Sequence, residues 1–73
     1  MKLDEQLLLA ELARLGWPRE NYATEVAASL GINAKRAEYI LGKWADRRWW
    51  EYGVSLRTGW LTDAGIAAAR SLA

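Results

Sequence analysis

The amino-acid sequence predicts a mainly helical α+β domain in the order helix, helix, helix, β-hairpin, helix. Apolar residues recur at helical spacing in four stretches of the chain. Between the third and fourth stretches, residues 47–54 alternate and are rich in aromatic side chains, which is typical of a strand. Polar caps and glycines stand at the expected helix ends. Because 73 residues are the size of one domain, we assign residues 1–73 to a single one.

The first helix is predicted over residues 4–15, with Asp4 as its cap and Gly16 as its stop. Leucines repeat there at helical spacing: Leu8, Leu12 and Leu15. Pro18 disfavours a helical residue before it, so Trp17 falls outside the helix. We expect Trp17 to cover the end of this helix rather than contact a ligand.

The second helix is expected to begin between Arg19 and Thr24. Either Asn21 or Thr24 could cap it, and the sequence leaves that choice open. Its buried face is expected to carry Val26, Ala27 and Leu30. Gly31 then supplies the turn, because a tight reversal after a helix favours a positive φ angle.

The third helix is predicted over residues 33–46, with Asn33 as its cap. A rotation of about 100° per residue places four apolar residues on one side as the core stripe: Ala37, Ile40, Leu41 and Trp44. The opposite side carries Lys35, Tyr39, Gly42 and Lys43, with Arg36 at its edge. A glycine inside a helix costs about 1 kcal/mol relative to alanine. On a solvent-facing side this cost indicates either the close approach of a partner or simple drift, and both explanations stay open.

The hairpin is predicted to begin with a strand at residues 47–54. Alternation places two sets of residues on opposite faces of this strand, Trp50, Tyr52 and Val54 against Trp49, Glu51 and Gly53. Thr58 and Gly59 have turn chemistry, so the tip is expected near Leu56–Gly59. The chain then returns at Trp60–Leu61.

The last helix is predicted to follow Thr62 as its cap. Its apolar residues lie at helical spacing: Ile66, Ala69 and Leu72. The sequence contains no internal repeat, linker or low-complexity segment.

The composition argues against an enzyme and against a membrane protein. The chain has no His and no Cys, which excludes disulfides and the common zinc ligand sets. It also lacks a glycine-rich phosphate loop, so we expect no catalytic residues, no metal and no cofactor. No apolar run reaches the length of a membrane span, and residues 1–5 lack a signal-peptide pattern. A cytoplasmic protein is therefore expected, without a separate domain to hold a small-molecule effector.

The net charge of +1 hides an uneven distribution. Residues 1–30 carry a net charge of −2, residues 31–61 carry +3, and residues 62–73 are neutral. Positive charge therefore collects on the third helix and the hairpin, where it could meet phosphate groups.

The order of elements, with T-E-V-A-A-S-L-G-I-N-A-K-R-A-E-Y-I-L at 24–41 and L-T-D-A-G at 61–65, resembles the winged helix-turn-helix family of small bacterial and phage DNA-binding proteins. The second segment is similar to the one after the wing in regulators of the multiple-antibiotic-resistance type. The resemblance covers residues 5–72. The chain departs from larger family members in its short hairpin and in the lack of long flanking helices for dimerisation.

The resemblance implies a sequence-specific protein for double-stranded DNA, either a transcriptional regulator or a phage or mobile-element accessory factor. Helix 33–46 would enter the major groove by its N-terminal part. By that resemblance the DNA-binding residues are Asn33, Ala34, Lys35, Arg36, Tyr39, Lys43, Arg48 and Arg57. Among these, Lys43 is expected nearest the DNA backbone, Arg57 at the wing and Arg48 at the base of the hairpin, beside Arg47. A single module this small implies a dimer or repeated half-sites.

The five tryptophans exceed what one small core needs. Because neighbours on a strand alternate, one of Trp49 and Trp50 is expected to face outward. That side chain either packs under the first helix or against Trp60, or it forms an interface with a protein partner or a second copy. The alternative function is therefore a protein–protein interaction module, for example a phage-encoded inhibitor or adaptor, that uses Trp49 and Trp50.

Overall fold

The computed structural model describes residues 1–16 and 22–72, and these form four α-helices and a two-strand antiparallel hairpin. The helices are α1 (Leu3–Leu15), α2 (Tyr22–Ser29), α3 (Ala34–Asp46) and α4 (Asp63–Arg70). The strands are β1 (Trp50–Glu51) and β2 (Trp60–Leu61), with a 3-10 turn at Leu56–Thr58 between them. The α+β class is confirmed, and the elements follow in the predicted order. The predictions for Trp17 and Asn21 lie outside the described residues.

The apolar stripe of α3 is buried as predicted. Its four residues are each 0% exposed: Ala37, Ile40, Leu41 and Trp44. The helices α1 and α2 add further buried residues to the same cluster: Leu8, Leu9, Leu12, Ala23, Val26 and Ala27. Each large apolar side chain buried in this way contributes about 1.5–3 kcal/mol. This shared core holds α3 in one rotation about its axis and so decides which polar residues of α3 reach the surface.

Most of the predicted helix ends are confirmed by their hydrogen bonds and backbone angles. Asn33 Oδ1 accepts the backbone N–H of Arg36 at 2.8 Å, and Thr62 Oγ1 accepts that of Gly65 at 3.1 Å. Gly16 and Gly31 have φ angles of 83° and 80°, which an L side chain rarely adopts.

Three predictions about helix positions are wrong. Thr24 does not cap the second helix, because it lies inside α2. Asp4 does not cap α1, because the helix begins at Leu3 with Lys2 in the cap position. The Asp4 carboxylate instead lies in the first turn of α1. The last helix does not carry Leu72, because α4 ends at Arg70; the Leu72 side chain is 36% exposed, whereas Ala69 is buried. None of the helices in the described ranges is long and apolar enough to cross a lipid bilayer.

The strand predicted at residues 47–54 is much shorter in the structure, because residues 47–49 form the turn that follows α3. The N–H of Arg47 donates to the Lys43 carbonyl at 3.1 Å, and the N–H of Trp49 donates to the Trp44 carbonyl at 2.8 Å. Arg48 has a φ angle of 65°, the left-handed conformation that ends many helices. The chain turns away from the axis of α3 only at Arg48. Regular pairing of the two strands therefore begins at residue 50, with Trp50 opposite Leu61.

The chain also leaves the strand early, after residue 51. The predicted shared face of Trp50, Tyr52 and Val54 is therefore wrong, since Trp50 is 3% exposed and Val54 is 98% exposed. The hairpin closes over the Trp50 ring, whose Nε1 donates to the Leu56 carbonyl at 2.8 Å. A Cβ atom on Gly59 would lie 2.6 Å from that Nε1, so only glycine fits at this position, immediately before β2.

Candidate nucleic-acid interface

The surface of α3 carries opposite charges on the two sides of its buried stripe. Arg36 and Lys43 lie on the side toward α1, where both contact acidic residues. Glu38 lies on the side toward the hairpin, 3.8 Å from the guanidinium of Arg57. We call the first side, together with its neighbours, the cationic flank: Lys2, Arg36, Tyr39, Lys43 and Arg47.

Arg36 is held by Asp4 of α1 in a two-point ion pair. Its Nε donates to Asp4 Oδ2 at 2.8 Å, and its Nη2 donates to Oδ1 at 3.1 Å. This hydrogen bonding lowers the pKa of the Asp4 carboxyl below its ordinary value and raises the pKa of the guanidinium. The side chains of Arg36 and Asp4 are still 26% and 35% exposed, so a phosphate group could reach the pair and compete for the guanidinium.

Lys43 is held in the same way by Glu5, an acidic residue of α1 that is only 1% exposed. Lys43 Nζ donates to Glu5 Oε1 at 2.7 Å, and Arg36 Nη2 lies 4.0 Å from the same oxygen. The second oxygen, Oε2, is buried and has no hydrogen-bond partner among the described residues. A buried carboxylate is costly unless it is paired with a cation. Lys43 therefore has a structural role that the sequence does not indicate.

An open concavity of about 400 Å³ lies on the cationic flank. The cations Lys2, Arg36, Lys43 and Arg47 all line it. Tyr39, which is 59% exposed, lines it as well, and its ring centre lies 5.4 Å from the Arg36 guanidinium and 5.7 Å from the Lys43 ammonium. These four cations exceed the two carboxylates of Asp4 and Glu5. The arrangement suits an anion with several oxygen atoms, such as a phosphate.

The N-terminal part of α3 holds three of the predicted DNA-binding residues, and all three are exposed: Asn33, Ala34 and Lys35. The side-chain oxygen of Asn33 is occupied by the cap hydrogen bond, which limits its use in reading a base. Lys35 makes no ion pair with any described residue. Its ammonium group is therefore available to an external ligand without a competing carboxylate.

The arginines around the hairpin differ in their surroundings. Arg57 is in the 3-10 turn, and its pair with Glu38 at 3.8 Å is half exposed on both sides. Such exposed pairs contribute little and exchange easily for another anion. Arg47 lies over the Trp49 ring at 5.1 Å, and the exposed Arg48 is placed by its left-handed backbone. All three are exposed, but the structure does not bring Arg57 and Arg48 into the concavity of the cationic flank.

The assignment of Trp50 to a protein interface is wrong, because its ring lies in the core. Trp50 is 3% exposed and lies 6.3 Å from Trp44, centre to centre. Trp49 is half-buried against the same core, and the Arg47 guanidinium covers part of its ring. The residue of this pair that faces outward is therefore Trp49, and it does so only in part.

Reasoning from sequence missed Lys2, Asp4 and Glu5 as parts of this surface. Asp4 and Glu5 both lie in the first turn of α1, where a negative charge is favourable in any helix. Their second role depends on contacts with residues 32 and 38 positions away along the chain, and no local pattern indicates those contacts.

Comparisons with known proteins found no relative of this chain. No protein-family model matches the chain, and no curated protein or solved structure is significantly similar to it.

Proposed function

We propose that this chain is a winged helix-turn-helix domain that binds double-stranded DNA with α3. One observation carries the proposal: four cations from two regions of the chain line one concavity beside the outward face of α3. Phosphate contacts supply much of the affinity of DNA-binding proteins, and lysine and arginine are the residues that make them.

In the proposed complex the N-terminal part of α3 enters the major groove. Lys35 and Tyr39 are exposed there, as is the acidic Glu38, and Lys35 has no ion pair among the described residues to break first. Lysine can donate to guanine edges or to phosphates, and the tyrosine hydroxyl can donate to a phosphate. Arg47 and Arg57 would hold the DNA backbone on either side of the helix.

The affinity of one such module is expected to be modest. Asp4 and Glu5 already occupy the side chains of Arg36 and Lys43, so fewer cations are free than the sequence suggests. A single module also buries a small area on DNA. Useful specificity would then come from two copies on neighbouring half-sites, as in a transcriptional regulator or an accessory factor of a phage or mobile element. Such a role belongs in the cytoplasm.

The test is fluorescence anisotropy with a mixed-sequence duplex between 50 and 200 mM salt. Lys35→Ala and Arg47→Ala should each weaken binding and flatten the slope of log affinity against log salt by about 0.9, the value of one lost phosphate contact. Arg70→Ala is the matched control, since Arg70 is an exposed cation at the end of α4. Absence of binding at 50 mM salt, or equal losses in all three variants, would refute the proposal.

A second candidate function is a protein-interaction module, and one observation favours it. The side of α3 toward the hairpin is acidic and aromatic, which suits a protein partner better than DNA.

A further inference from the structure

A groove runs along the side of α3 toward the hairpin and shares Tyr39 and Lys43 with the cationic flank. Two concavities of about 370 and 440 Å³ form it, and they share Ala45, Asp46 and Tyr52. The first lies between α3 and the hairpin turn at Leu56, and the second continues past β1 to Thr62. We call the two together the acidic groove.

Apolar and aromatic side chains that the fold leaves uncovered line the first part of the acidic groove. Tyr39 is 59% exposed and Tyr52 is 45% exposed. Gly42 of α3 lines the same concavity as both tyrosines, and a Cβ atom there would meet nothing within 4 Å. The packing of this chain therefore does not require glycine at position 42, although glycine costs about 1 kcal/mol in the middle of a helix. The absence of a side chain at position 42 leaves room in this concavity for a side chain of a ligand.

The charged residues at the edges of the groove are mainly acidic. Glu38, Asp46 and Glu51 line it and are all exposed. Asp46 and Glu51 make no ion pair with any described residue, and Glu38 has only its loose pair with Arg57. Two cations also line the groove, but the ammonium of Lys43 is held by Glu5. Arg48, at the far end, is then the one lining cation without a carboxylate partner among the described residues.

We propose that the acidic groove binds a cationic peptide segment of a partner protein, with an arginine or lysine side chain lying over Gly42. The exposed ring of Tyr52 can hold the cation by cation–π contact, whereas the ring of Tyr39 already faces Arg36 and Lys43. Asp46 and Glu51 can accept charge-assisted hydrogen bonds from the same or the next basic residue. DNA is the poorer occupant, because three carboxylates would face its phosphates.

The experiment uses a fluorescein-labelled peptide that alternates glycine and arginine over seven residues, with a citrulline version as the uncharged probe. Anisotropy at 50 mM salt should show binding of the arginine peptide alone. Asp46→Asn and Glu51→Gln should each weaken binding about two- to fivefold, the value of an exposed ion pair. Glu25→Gln is the matched control, since Glu25 is an exposed carboxylate of α2 that lines neither concavity.

Gly42→Leu tests the groove without depending on charge. The added side chain has open space and a better helix propensity, so the melting temperature should not fall. The leucine side chain should fill the space above position 42. The affinity for the arginine peptide should fall at least about tenfold, as expected when a contact at the centre of an interface is blocked.

Three results would overturn the inference. The first is equal peptide binding by the wild type, Gly42→Leu and the two carboxylate variants. The second is an equal loss in Glu25→Gln, which would indicate attraction to overall charge. The third is a Gly42→Leu protein that no longer binds the DNA duplex but binds the peptide as tightly as the wild type. That result would make the groove part of the DNA interface. Because the peptide is measured separately, failure of DNA binding alone leaves the inference intact.

Discussion

If α3 binds DNA as proposed, Asp4 should limit that binding by holding Arg36, and replacing Asp4 with asparagine tests this directly. The substitution Asp4→Asn keeps the size of the side chain but removes the charge that holds the guanidinium at 2.8 and 3.1 Å. Arg36 then keeps only its longer contact with Glu5 Oε1, at 4.0 Å, and can turn to a phosphate more easily. We expect Asp4→Asn to bind DNA more tightly than the wild type, although the variant loses an ion pair.

The expected magnitude follows from the number of contacts. One additional phosphate contact steepens the slope of log affinity against log salt by about 0.9, so binding should fall about 3.5-fold more between 50 and 200 mM salt. At 50 mM, replacing an exposed pair with a charge-assisted bond to phosphate should improve affinity about three- to tenfold, or about 0.7–1.4 kcal/mol.

A double-mutant cycle separates the release of Arg36 from a general change in charge. The duplex is titrated by anisotropy with the wild type, Asp4→Asn, Arg36→Ala and the double variant. If Asp4 acts through Arg36, Asp4→Asn should have little effect in the Arg36→Ala background. Glu11→Gln is the matched control, since Glu11 holds Arg14 at 2.8 Å elsewhere on α1.

Two outcomes would refute this reasoning about Asp4. One is an equal gain in affinity from Glu11→Gln. The other is the same gain from Asp4→Asn with and without the Arg36 side chain. Either result would mean that Asp4 repels DNA only through its charge.

Three further predictions concern the stability of the fold, two for glycine substitutions and one for the dependence on pH. Gly65→Ala should destabilise the protein by about 1–3 kcal/mol in urea unfolding, because the new Cβ would collide with the Trp49 carbonyl oxygen. Gly42→Ala, where the same atom has open space, should stabilise it by about 0.5–1 kcal/mol; opposite signs would contradict the packing described for α3 and α4. Arginine partners lower the pKa values of Asp4 and Glu11 below their ordinary values of 3.8 and 4.5. Their contribution to stability is therefore complete above these values and is lost as the pH falls through the lowered ones, so the melting temperature of Asp4→Asn should depend less on pH below about 5 than that of the wild type.

The elements of the fold that local patterns control were predictable from the sequence. The buried stripe of α3 follows from spacing alone, and the caps at Asn33 and Thr62 follow from side chains that satisfy nearby N–H groups. The strand was predicted too long because alternation of aromatic residues over 47–54 also fits the end of a helix followed by a turn. The left-handed conformation of Arg48, which separates the two, is not typical of arginine and has no sequence signal.

The sequence by itself therefore determined the class of fold, the order of its elements and the residues that α3 buries, because these depend on periodicity and on contacts within a few positions. Only the tertiary structure decided which cations are free. Asp4 and Glu5 reach Arg36 and Lys43 because the common core brings α1 beside α3, so two of the predicted DNA contacts start from ion pairs within the chain. The tertiary structure likewise placed Trp50 rather than Trp49 in the core, since burial there depends on the residue at which the chain turns away from α3.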